Sequence, residues 1–283
     1  MPRDPTDSGH RTAGERRYAG AVPPSAPLPV LPRAVLELAV QDPAGAVVAA
    51  GVGARRVELC SALGATGGIT PSTGLVEAVV AAASVVPASD SAPLLEVHVL
   101  VRPRPGGFVY TPAETDLMAR DVTLAVEAGA DGVVVGALTP SGAVDLAALR
   151  ALVEAAEGAE VTYHRALDVA ADPAAALDVL AEAGVARVLT SGGAARAADG
   201  LDRLAALVER SADVGIEVMA GGGVTAADVP ALVAVGVDAV HLSARRTVAD
   251  TGGPGGGGDA GYEVTDQTLA EAAAAALRTT VDL

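Results

Sequence analysis

The sequence predicts a (β/α)8 TIM barrel, and three observations carry that prediction. From Ala34 onward, short Val- and Leu-rich runs alternate with Ala-rich segments of helical period, the pattern of repeated strand–helix units around a parallel sheet. Eight such units in 283 residues match the size of one barrel. Three joints also repeat nearly the same phrase: AGADGV (128–133), AGVARV (183–188) and VGVDAV (235–240), each supplying a glycine to close a helix before the next strand.

The strands read as AVLELAV (34–40), RRVELC (55–60), LLEVHVLV (94–101), DGVVVGAL (131–138), EVTYHRA (160–166), ARVLTS (186–191), IEVMAG (216–221) and DAVHLSA (238–244). Helices are expected to begin near Pro43, Pro71, Pro112, Asp145, Pro173, Arg196 and Ala226, because proline and aspartate suit a first helical turn. An eighth helix is expected over 266–278, beyond a glycine tract (251–261) that reads as a flexible connector. Residues 1–32 are polar and proline-rich, have no hydrophobic period, and read as a disordered extension ahead of a single barrel domain at 33–283. A doubly wound open sheet is the alternative, but the first strand lacks the glycine turn a dinucleotide fold needs.

Composition removes several chemistries. All 19 basic residues are arginine, and against 35 acidic residues the net charge is 19 − 35 = −16. A chain without lysine forms no Schiff base, anchors no pyridoxal phosphate and carries no P-loop, so neither a nucleotide nor a pyridoxal phosphate cofactor is expected. The acidic balance, with four tyrosines, one phenylalanine and no tryptophan, argues against nucleic-acid binding. No run reads as a membrane span or a secretory signal, so a cytoplasmic location is expected, with the lone Cys60 as a thiol.

Alternate residues of a barrel strand point inward, and the working face lies at the strand C-terminal ends. Counting in twos places Glu37 with Ala39, Glu58 with Cys60, His98 with Leu100 and Arg102, His164 with Thr162, and His241 with Ser243, while Thr190 ends the sixth strand. One inward histidine is ordinarily a satisfied core residue; five ionisable groups in one interior are costly to bury and mark a pocket. The following loops add donors. RPRPGGFVY (102–110) reads as a substrate clamp; HRALD (164–168) sets an imidazole, a guanidinium and a carboxylate close together. TSGG (190–193) and AGGGV (220–224) read as anion cradles. The expected ligand is a small anion or a metal ion. The candidate catalytic groups are Glu58, His164 and Asp168. Glu37, His98, Arg102, Arg165, Thr190, Gly222, Gly223, His241 and Ser243 are the candidate binding residues.

Taken in order, VLELAV, RRVELC with GGITPS, HVLVRPRPGGFVY, TYHRALD, RVLTSG, MAGGGV and VHLSA resemble the CutC family of copper homeostasis proteins from Ala34 to Ala244. The resemblance implies a (β/α)8 barrel, a cytoplasmic protein, often a homodimer or higher homo-oligomer, and copper binding. Some family members carry a cysteine two residues after each of the first two strand glutamates; here those positions are Ala39 and Cys60. Cys60 is therefore the candidate Cu(I) ligand, with a partner drawn from His98 or His241, and the affinity should fall with one thiolate gone. Two further expectations compete with it. One is an enzyme of lyase, isomerase or hydrolase type acting on a small phosphorylated or carboxylated metabolite; the other is a hard-metal site joining His98, His164 and His241 to a glutamate.

Overall fold

The computed structural model describes residues 34–85, 94–250 and 261–281. The proline-rich 1–32 and the glycine tract, apart from Gly261, lie outside the described residues. Eight strands close one parallel barrel in chain order, and the last pairs with the first. They are β1 (Val35–Val40), β2 (Arg56–Leu59), β3 (Glu96–Leu100), β4 (Gly132–Val135), β5 (Glu160–Tyr163), β6 (Arg187–Thr190), β7 (Glu217–Gly221) and β8 (Ala239–Leu242). The helices are α1 (Pro43–Val52), α2 (Leu63–Thr66), α3 (Thr73–Ser84), α4 (Pro112–Glu127), α5 (Leu146–Ala155), α6 (Pro173–Glu182), α7 (Leu201–Val214), α8 (Val229–Ala234) and α9 (Gln267–Val281).

Side-chain caps explain where most helices start. Asp42, Asp145 and Asp172 each accept a hydrogen bond from an amide in the first turn of α1, α5 and α6. Thr111 and Glu114 close a capping box at α4. The helix expected near Pro71 begins at Thr73, because Ser72 is the residue whose side chain caps it. Arg196 leads into a single 3-10 turn (Ala197–Asp199), and α7 follows from Leu201; α8 starts at Val229 rather than near Ala226. The short α2 and a two-stranded ribbon were not expected from the sequence. Strands β9 (Arg245–Val248) and β10 (Tyr262–Thr265) pair antiparallel on either side of the glycine tract. Residues 245–247 are polar and mostly exposed, so no hydrophobic alternation announces them.

The barrel has two separate apolar regions. Leu, Val and Ala side chains pack between strands and helices in one continuous outer core. Inside the barrel, small clusters form instead: Leu189, Met219 and Ala239, and Cys60, Leu100 and Val134. Ion pairs fill the end where the strands begin. Arg187, buried, donates to Glu217 at 2.7 Å, Glu160 at 3.2 Å and Thr162 at 3.2 Å. Arg56, also buried, donates from Nε to Glu37 at 2.9 Å. Both arginines sit two residues before an inward position (Glu58 and Leu189), so the same count in twos that found the glutamates also reaches them. The polar plug leaves the opposite, C-terminal end as the open mouth.

Candidate functional site

The mouth holds a cavity of about 390 Å³, within the range of small-molecule pockets. Eight of the sequence candidates line it: Glu58, Arg102, His164, Arg165, Gly222, Gly223, His241 and Ser243. Five do not. Glu37 lies behind His241, and His98 is fully buried lower in the barrel. Asp168 and Thr190 face a second cavity of about 370 Å³ between the segments after β5 and β6. Cys60 packs against Leu100 and Val134.

A chain of three ionisable side chains runs from the interior to the cavity. Glu37 Oε1 lies 2.8 Å from His241 Nδ1, and His241 Nε2 lies 3.7 Å from Glu58 Oε2. Burial alone would raise the pKa of Glu37. The hydrogen bond and charge of His241, with the charge of Arg56, win and hold the carboxyl well below the usual range. Glu37 is thus ionised and accepts the Nδ1 proton of His241. For His241, burial works downward, but the bond to Glu37 and the charges of both glutamates raise its pKa. Glu58 has no hydrogen-bonded partner among the described residues. Burial pushes it up to about 7, His241 opposing and Glu37 adding to the shift. A carboxyl that titrates near neutrality at the cavity wall can both give and take a proton.

His164 is tuned the other way. Its Nδ1 accepts from the Ala166 amide at 3.1 Å, which places the proton of the neutral ring on Nε2. Burial, reinforced by the Arg102 charge, lowers its pKa to about 3. His164 is therefore a neutral N–H donor at physiological pH. His98 is also neutral: burial brings it to about 4, and neither ring nitrogen has a hydrogen-bond partner.

Asp168 is held by donors from two segments of the chain. Thr190 Oγ1 and the amides of Ser191 and Gly193 donate to Oδ1 at 2.6–3.1 Å, and Arg165 Nε donates to Oδ2 at 2.7 Å. The TSGG cradle is filled by the chain's own carboxylate. Asp168 and Thr190 therefore position Arg165, whose guanidinium lies so close to Gly222 that a Cβ there would sit 2.8 Å from its Cζ. Arg102 spends three bonds on the carbonyls of Thr66, Gly68 and Gly106. Phe108 sits beside both Arg102 and His164. Arg245, Leu63 and Thr66 also line the cavity but were not among the sequence candidates. Arg245 stands two residues beyond Ser243 in the segment after β8.

The donor set was tested against copper. Cys60 is fully buried, and burial, with the Glu58 charge, pushes its thiol far above its ordinary value. Ala39 offers no second thiolate, Met219 packs with Leu189 and Ala239, and Met118 lies in the outer core. Among the described residues no three His, Cys, Asp or Glu side chains are grouped to hold a metal ion, so the three histidines do not converge on one. These residues do not fit a tight Cu(I) site, which needs accessible soft donors.

Fold and site together define a class: a TIM barrel with a buried acid–base cluster opening at its C-terminal mouth. No helix among the described residues is long and apolar enough to cross a membrane. Residues 34–246 match the CutC family, and the chain belongs to it. It is 48% identical over 215 residues to a family protein CutC of Xanthomonas campestris pv. campestris strain 8004, covering 76% of this chain and 85% of that protein. A family protein CutC of Caulobacter vibrioides strain NA1000 is 44% identical over 227 residues, covering 80% of this chain and 85% of that one. Among solved structures, a Streptococcus agalactiae protein carrying the copper homeostasis name CutC superposes with a TM-score of 0.68 at 31% identity, covering 74% of this chain and 98% of that one.

Proposed function

We propose that the cavity performs proton transfer on a small anionic metabolite, with Glu58 as the acid–base group. The observation that carries this reading is the placement of Glu58: a buried carboxyl at the cavity wall, 3.7 Å from His241, which is itself fixed by Glu37. His241 and His164 supply N–H donors for an oxygen that gains charge in the reaction. Arg102, Arg165 and Arg245 make the wall favourable to an anion. The experiment is a screen of small carboxylated and phosphorylated metabolites for deuterium uptake from heavy water. Exchange should rise with pH through about 7 as Glu58 becomes a base. A rate flat across that interval would remove Glu58 from the role.

A copper role is the second reading, favoured by the name the streptococcal relative carries. The buried Cys60 gives it no strong ligand here. Titration with Cu(I) against a competing chelator should return the same affinity for wild type and Cys60→Ala. A clear loss in the variant would restore Cys60 as a ligand and put copper first.

A further inference from the structure

We infer that Arg102 and His164 form a carboxylate-binding subsite beneath Phe108. The inference rests on the cavity being a small-anion site, and it names the anion's class. Three guanidinium groups line the cavity. Arg165 is paired with Asp168, and Arg245 with Glu263. Arg102 has no carboxylate partner among the described residues, although only 8% of it is exposed. Its Nε–H is buried and has no acceptor among the described residues. A buried cation without a counter-charge is costly, and an anion entering the cavity relieves that cost.

His164 supplies the second, independent observation. Its Nδ1 is occupied by the Ala166 amide, so Nε2 carries the proton, and Nε2 is also buried without a partner. Two buried donors on one cavity wall, both lacking acceptors, match the two oxygens of a planar carboxylate. Charge favours the same class. One uncompensated guanidinium balances a monoanion, whereas a phosphate monoester brings close to two charges at neutral pH.

Phe108 covers both donors. Its ring centroid lies 4.8 Å from that of His164, and Arg102 Cζ lies 5.4 Å from it. The Leu138 amide donates to the Phe108 carbonyl at 2.8 Å, so the backbone is pinned while the ring can turn about its own side-chain bonds. Opposite, Gly136 leaves room for the imidazole: a Cβ there would lie 2.4 Å from ring atoms of His164. Entry of the ligand requires only that the phenyl ring swing aside.

The test uses the full chain with acetate, pyruvate, benzoate and inorganic phosphate as probes, read by calorimetry and by the 15N resonance of His164 Nε2. Carboxylates should bind and move that resonance, and phosphate should bind more weakly. His164→Phe and Arg102→Lys should each weaken carboxylate binding by about tenfold, as expected when one charge-assisted or buried hydrogen bond is lost. Should either variant fail to fold, the wild-type resonance still decides. Failure of all three carboxylates to bind, binding that leaves His164 Nε2 unmoved, or phosphate binding more tightly than they do would each overturn the subsite. Glu58→Gln separates this inference from the proton-transfer reading, because it should lose exchange while carboxylates still bind and move the His164 Nε2 resonance. Carboxylate binding here with no exchange activity anywhere in the screen would remove that reading and leave the subsite standing.

Discussion

Glu37→Ala should destabilise the barrel by about 3–5 kcal/mol, the usual cost of removing one partner from a buried ion pair. Glu37 is 1% exposed and accepts from two cationic or proton-bearing groups, Arg56 and His241. Alanine leaves both facing a void. Arg56 NH2 already lacks a hydrogen-bond partner, so the arginine has no second acceptor to turn to. The measurement is urea unfolding, where the midpoint should fall at nearly constant slope. The penalty has a pH dependence of definite sign. The folded-state pKa of His241 is raised above its ordinary 6.5, so its contribution is fully present below that value and is lost as pH rises through the folded value. Glu37, held far below the usual carboxylate range, stays ionised throughout this interval. The variant should therefore lose most stability in mildly acid buffer and less in alkaline buffer. Equal losses at both ends would mean that the Glu37–His241 bond does not depend on the imidazolium.

Glu58→Gln should slow deuterium exchange by about 10²–10⁴-fold, the range for removing a positioned acid–base group. It should also make the protein more stable above pH 7. The sign follows from the raised pKa of about 7 against an ordinary 4.5: stability is fully present below 4.5, declines as pH rises to about 7, and stays reduced beyond. Glutamine keeps the shape and removes the buried charge. Lower activity joined to higher alkaline stability is the mark of a group retained for chemistry at a cost to the fold. A variant that lost activity and stability together at high pH would instead point to a structural glutamate.

The barrel was legible because its determinants are local. Asp42, Asp145 and Asp172 cap helices within three residues of themselves, and glycine closes the helices at AGADGV, AGVARV and VGVDAV. The inward glutamates and histidines were legible from strand parity alone. What the sequence hid depends on contacts between distant segments. Asp168 read as a proton-relay candidate or a partner of Arg165, and nothing near it in the chain shows that Thr190, Ser191 and Gly193, more than twenty positions away, would also turn their donors onto it. His164 looked like an acid or base. Its neutral state follows from full burial and from Arg102, which approaches from beyond another strand. Cys60 shares a parity with Glu58 but lies under Leu100 and Val134, whose packing appears only once β2, β3 and β4 are side by side.

Glu58 serves as the neutral-range acid–base group of the proposed reaction because burial raises its pKa further than the charge of His241 lowers it. Carbon-13 labelling of the glutamate carboxyls, with Glu58→Gln to assign the signal, measures this directly. The account predicts a Glu58 midpoint near 7. A midpoint in the ordinary range around 4.5 would contradict it and leave the cavity without its acid–base group.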